Sequence, residues 1–267
     1  MGDEDHGRAL AARYSRNAAH YRRYWAALTT PRGRVLLERL PLDGARRLLD
    51  LGTGVGGLLP TMAAAAPGAT VVGVDRAEGM LRAAPAGFPR AVMDAQRVAF
   101  RDGVFDAVIM AFVLFHLPDP QAGLRSAHRV LRPGGWFALS TWRDPPGDSP
   151  ANRIWGEELT RAGAPPDDPA PSRHDLMDTP EKLTRLLHAA GFEDVRTDGH
   201  VLDDVMDLDE FLDRRTGLGL SADRFLSLSG PAREACLVSA RRRLSKLATE
   251  DFVIREDAIL AWARRPE

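Results

Sequence analysis

A single cysteine, Cys236, stands in 267 residues, so no disulfide can form within the chain. A reducing, cytoplasmic setting is the expectation. His, Cys, Asp and Glu nowhere cluster at zinc-ligand spacing, and no metal is expected. The chain also lacks any run of roughly 18 apolar residues, which excludes a helical membrane span, and no apolar stretch follows the acidic start as a secretion leader would. Charge of one sign is missing too: 36 Lys+Arg face 37 Asp+Glu, giving a net charge of -1. Without a field to concentrate a polyanion, nucleic acid is not an expected partner. The basic run Arg241-Arg242-Arg243 reads as a solvated helix face. Internal repeats are absent as well. What remains is an ordinary globular composition, 44% apolar and 27% charged, in a chain long enough to bury a large core. A monomer or homodimer is expected.

Proline and glycine divide the chain into an N-terminal helical arm (residues 1–43), a strand/helix block (44–142), an inserted lid segment (143–178) and a C-terminal part (179–267) with a helical lid over about 206–250. In the arm, helical spacing covers about Arg8–Leu28 and Gly33–Leu40, with Pro31 suited to the first turn of the second helix. From Arg47 onward, Arg47–Leu51, Thr70–Val74, Ala91–Met93, Val104–Met110 and Gly135–Thr141 read as buried strands. Helical stretches lie between them, and this alternation predicts a doubly wound α/β fold with a parallel sheet covered on both faces. Further helices are expected over about Asn152–Ala162, Thr179–Ala190, Leu208–Arg215 and Pro231–Leu247, with strands at Val195–Leu202 and Phe252–Ala263.

The sharpest local signal is Leu48-Leu49-Asp50-Leu51-Gly52-Thr53-Gly54-Val55-Gly56-Gly57, a strand, a glycine turn and a helix start. Glycines there let a ligand approach the backbone, although nicotinamide-binding folds use a similar turn. Asp50 shifts the balance, because a carboxylate is a poor neighbour for a pyrophosphate and a good one for the ammonium and sulfonium of S-adenosylmethionine (AdoMet). Thr53, in the same turn, is either a further cofactor contact or a plain cap. Asp75 ends the second strand where an acid can accept from both ribose hydroxyls, and capping of the next helix is the competing role. Asp94 follows the third strand, where an acceptor can read an adenine amino group. Three acids at the carboxyl ends of three consecutive strands are hard to explain by packing.

These motifs, together with Val71–Leu81, Asp94-Ala95 and Phe105-Asp106…His116…Arg129-Val130-Leu131-Arg132-Pro133-Gly134-Gly135, resemble those of class I AdoMet-dependent methyltransferases, in particular the small-molecule, quinone-biosynthesis-like branch. The resemblance spans about Arg47–Thr141. It implies a Rossmann-like seven-stranded sheet of order 3-2-1-4-5-7-6 with the last strand antiparallel, and AdoMet as donor with S-adenosylhomocysteine (AdoHcy) as product. By position it also implies Gly52 and Gly54 against the methionine moiety, Asp50 by its ammonium, Asp75 on the ribose, and Arg76 and Met80 flanking the adenine. Asp94 and the Ala95 amide would read the adenine edge, and Ala111 with Phe112 would line the methyl end. Tyr14 or Tyr21 resembles an arm tyrosine that closes over the cofactor.

His116, just beyond the fourth strand, is the candidate general base, since an imidazole titrating near neutrality can take the acceptor's proton; anchoring the following turn is its alternative role. Trp142 and His174 are expected on the acceptor side, with a small organic molecule as acceptor. No Asn/Asp-Pro-Pro-Tyr/Phe motif follows the fourth strand, which argues against base-amino methylation. Two rivals share the glycine turn: an AdoMet-binding protein that catalyses a non-methylating reaction such as cyclisation or isomerisation, and an NAD(P)-dependent oxidoreductase.

Overall fold

The computed structural model describes residues 3–143, 149–166, 173–217 and 220–267. In chain order, the arm carries α1 (Asp3–Arg16), α2 (Ala18–His20), a π-helical turn (Tyr21–Trp25) and α3 (Ala26–Glu38). Then come β1 (Arg47–Leu51), α4 (Leu59–Ala65), β2 (Thr70–Asp75), α5 (Glu78–Ala83), β3 (Arg90–Val92), β4 (Phe105–Ala111), α6 (Pro120–Val130) and β5 (Leu131–Trp142). The rest comprises α7 (Pro150–Arg161), α8 (Pro180–Ala189), β6 (Glu193–Val205), α9 (Leu208–Gly217), α10 (Leu220–Ser227), α11 (Gly230–Leu244) and β7 (Val253–Arg264). Two compact units result: 1–144, 172–200 and 258–267 form the first, and 145–171 with 201–257 the second.

The sheet has the order β3-β2-β1-β4-β5-β7-β6, as the resemblance implies. Strands β1 to β5 pair in parallel, and β7 runs antiparallel to β5. Alternation along each strand sends neighbouring side chains to opposite layers. Leu49, Val108 and Leu139 pack with Leu124 of α6 and Leu187 of α8. On the other face, Leu48, Ile109 and Ala138 pack with Leu36 of α3 and Met62 of α4. Parallel strands buried on both faces put all their carboxyl ends on one edge, which is what positions the site.

Asp106 ties the opposite edge together. Its carboxylate accepts from the Arg46 and Arg47 amides at 2.8 and 2.9 Å and from Arg132 Nε at 2.7 Å. Partial burial opposes ionisation there, but those three donors outweigh it and hold the carboxyl below its ordinary range. The Phe105-Asp106 and Arg132–Gly135 motifs are thus joined into one structural clasp.

The arm departs from its predicted form. Pro31 lies inside α3, not in its first turn, and the first helix is interrupted at Asn17 and by the π-helical turn. Side chains take up carbonyls in this stretch, with Thr29 Oγ1 donating to Trp25 O at 2.9 Å and Arg32 Nη1 to Leu28 O at 2.8 Å. Burial of Leu28, Leu36 and Leu37 against the core outweighs the bond that Pro31 forfeits.

In the second unit, Trp155, Leu159, Phe211, Phe225, Cys236 and Phe252 form a separate core. Helix α10 was not among the predicted elements. Two of the basic run's three arginines are in ion pairs: Arg243 holds Glu157 and the buried Glu158 at 2.5 and 2.7 Å, and Arg241 holds Asp209 at 2.6 Å. Among the described residues, no helix is long and apolar enough to cross a membrane.

Candidate active site

The glycine turn after β1 is pinned to β2, because the Gly52 and Thr53 amides both donate to the Val74 carbonyl, at 2.8 and 2.9 Å. Gly52, Gly54 and Gly56 all take positive φ, of 82°, 55° and 73°. At Gly52 a Cβ would fall 2.3 Å from Val113, so this position needs glycine both for conformation and for space. Asp75 Oδ2 accepts from the Gly54 amide at 2.9 Å and Oδ1 from the Ala77 amide at 2.7 Å. One carboxylate therefore shapes the turn and caps the next segment.

Beneath this turn lies a cleft of about 790 Å³, counted out to its mouth. Gly52, Gly54, Asp75, Arg76, Met80, Asp94 and Ala95 line it from the strand ends, and Ala111, Phe112 and His116 from beyond β4. Tyr14 and Tyr21 both enter it from the arm. Asp50 and Thr53 lie instead in an adjoining cavity of about 350 Å³, which shares Tyr21, Gly52 and Ala111 with the first. Trp142 and His174 line neither. Trp142 packs one ring behind the cleft, 4.3 Å from Phe112, and His174 stacks at 4.2 Å on Phe115.

Electrostatically the region wants a cation. Asp50 is buried, accepts from Thr53 Oγ1 at 2.6 Å, and has its pKa raised to about 7. Burial is the main cause; the Thr53 bond works against it, and the charge of Asp75 adds to it. Burial also raises Asp75 against the pull of the Ala77, Gly54 and Arg76 amides. The Tyr21 phenol is raised by burial, opposed by its bond with Thr29, and raised further by the charges of Asp75 and Asp50. A positive group seated between these oxygens would relieve all three. The ammonium and sulfonium of AdoMet fit that demand, and the apolar Met80, Met93 and Ala95 suit an adenine.

Asp94 is already engaged. Its Oδ1 accepts from the Gln96 amide at 2.9 Å, and its Oδ2 lies 3.3 Å from Arg76 Nη1. Across the cleft, Tyr14 Oη and His116 Nε2 are 3.1 Å apart, joining residues 102 positions distant in sequence. Among the described residues no group of three or more His, Cys, Asp or Glu is placed to hold a metal.

Sequence reasoning passed over Gly7, Leu10 and Ala11, which line the cleft with Tyr14. Their i, i+3, i+4, i+7 spacing on α1 marks one helix face and was a usable signal. Thr29 and Thr30, which line the smaller cavity, were hidden by the misplaced helix boundary at Pro31.

The family model described as "Methyltransferase domain" matches residues 18–197, about two thirds of the chain. The chain belongs to this methyltransferase family. The methyltransferase is 34% identical over 185 residues to a demethylmenaquinone methyltransferase of Mycolicibacterium gilvum, covering 65% of this chain and 77% of the relative. A ubiquinone biosynthesis O-methyltransferase of Dinoroseobacter shibae is 35% identical, with 63% and 68% covered. Among solved structures, a phosphoethanolamine N-methyltransferase of Haemonchus contortus holding S-adenosylhomocysteine superposes with a TM-score of 0.53 at 21% identity. That match covers 89% of this chain and 53% of the other, so the methyltransferase spans about half the length of the Haemonchus enzyme. The protein is an AdoMet-dependent methyltransferase.

Proposed function

We propose that the cleft and the adjoining cavity together bind AdoMet, with its ammonium toward Asp50 on the side of the smaller cavity, its ribose on Asp75, its adenine between Arg76 and Met80 with the Asp94 carboxylate and Ala95 amide at the adenine edge, and its methyl toward Ala111, Phe112 and His116. The acceptor is a small hydroxyaromatic molecule such as a reduced quinone, a reading that the naming of relatives for demethylmenaquinone and ubiquinone biosynthesis supports. The observation that carries this reading is the Tyr14–His116 pair at the end of the cleft where an acceptor would meet the donor.

When bound, AdoMet supplies a methyl group on a positively charged sulfur, ready for in-line displacement. The chain's task is to align the acceptor, exclude water and take the proton that methylation makes acidic. Alignment can be worth roughly 7–11 kcal/mol of barrier. With its Nε2 unprotonated, His116 receives the Tyr14 phenolic proton as the Tyr14 oxygen takes that of the acceptor hydroxyl. The electron pair left on the acceptor oxygen forms the new bond to carbon, and the sulfur leaves with the pair of the broken one. The relay requires a neutral imidazole as the proton acceptor.

The test uses AdoMet with an isotopically labelled methyl group against a panel that includes demethylmenaquinol, a catechol and an amine. A mass gain of one labelled methyl, with matching AdoHcy release, is expected for a hydroxyaromatic member. Consumption of a panel member with AdoMet left intact would instead support a non-methylating reaction. His116→Ala should lower kcat by about 10²–10⁴-fold, and a turnover rate unchanged across pH would exclude the proton-accepting role.

A further inference from the structure

Among the described residues that line the cleft, Phe112 is the non-glycine residue with a strained backbone. It follows directly on β4 with φ of +57°, where a bulky side chain is an outlier and glycine would be at ease. Its amide donates to the Ser140 carbonyl at 3.0 Å, and its buried ring lies 4.3 Å from Trp142 with the two planes 33° apart. Trp142 in turn has the Arg32 guanidinium carbon 5.2 Å from its ring centre. Arg32 is fully buried on α3 and anchored through Nη1 to the Leu28 carbonyl. A buried guanidinium over an indole is an attractive and costly arrangement, since the cation has left water to lie there. Such strain persists only where surrounding contacts over-determine it.

We propose that Trp142, seated on Arg32, is a positioning residue that acts through Phe112. It holds the Phe112 ring as a rigid wall at the methyl end of the cleft, so that the donor methyl is presented in one direction. This assigns Trp142 a place behind the reacting groups, whereas the sequence pointed to the acceptor side. It also couples α3 of the arm to the methyl end. The inference rests on the reading of the cleft as the AdoMet site.

Titration calorimetry of the full chain with AdoMet, AdoHcy and adenosine tests it without an acceptor. AdoMet and AdoHcy differ at the methyl-bearing sulfur, and adenosine probes the far end alone. Trp142→Ala is expected to change the ratio of the AdoHcy and AdoMet dissociation constants at least threefold while adenosine affinity stays within twofold of wild type. Trp142→Phe, which keeps an aromatic ring, is expected to keep the wild-type ratio. An unchanged ratio in Trp142→Ala, a parallel weakening of all three ligands, or loss of the ratio in Trp142→Phe would each overturn the proposal. Should Trp142→Ala fail to fold, Trp142→Leu retains part of the apolar volume without an aromatic ring and is judged by the same outcomes. Failure of the wild-type protein to bind either AdoMet or AdoHcy would be a different result, removing the donor-site reading itself.

Discussion

Asp50 shows how one side chain's environment becomes chemistry. Its carboxyl, raised to about 7 by burial, favours the neutral form in the unliganded fold. Because the folded-state pKa is raised, the stability this group contributes is fully present below the ordinary carboxylate range and is lost as pH rises through about 7. A cationic ligand beside it reverses the preference and expels the proton. AdoMet affinity should therefore be about tenfold weaker at pH 6 than at pH 8, with proton release detectable by calorimetry in buffers of different ionisation enthalpy. Asp50→Asn should abolish the release; a variant that still releases the proton would move the effect to Asp75. The motif showed that an acid stands at position 50, but its shifted affinity for protons comes from neighbours that only folding supplies.

Helix α1 is placed by close approach. A Cβ on Gly79 of α5 would lie 2.4 Å from the Ser15 carbonyl oxygen, and the Gly79 amide donates to Ser15 Oγ at 3.2 Å. At the other end, Gly7 abuts the Arg76 guanidinium. Gly79→Ala meets backbone, which cannot swing aside as a side chain can, so α1 should lift and take Tyr14 with it. We expect AdoHcy binding at least tenfold weaker, about 1.4 kcal/mol, and faster amide exchange confined to residues 3–16. Unchanged exchange there would show that α1 accommodates the methyl in place. Helical periodicity made the arm legible as helix. It carried no sign of where the arm docks, nor of the π-helical turn that sets Tyr21 near Tyr14 with ring centres 5.8 Å apart.

Taken whole, the molecule has a large core apart from its ligand site, so ligand binding should add to stability without being required for folding. At a hundredfold excess over its dissociation constant, AdoHcy should stabilise the fold by about 2.7 kcal/mol and raise the melting temperature by about 5–10 °C. NADH at the same concentration should leave it unchanged, and a rise with NADH alone would favour the oxidoreductase reading. Two arginines of the densest basic run, Arg241 and Arg243, are held in ion pairs within the second unit.

The order of short apolar runs, the glycine turn and the three acids was enough to read a parallel sheet and to place Asp50, Asp75 and Asp94 along one edge. Strand direction alone decides which ends meet, and strand patterning is local. What the chain order could not reveal depends on contacts between distant segments. The Tyr14–His116 bond, the seating of Trp142 on Arg32, the passage of α3 through Pro31 and the division of the cleft from the Asp50 cavity all arise from how the arm packs on the sheet. Periodicity records which face of an element is apolar, whereas the partner that covers it is chosen by shape and burial after the chain has closed on itself.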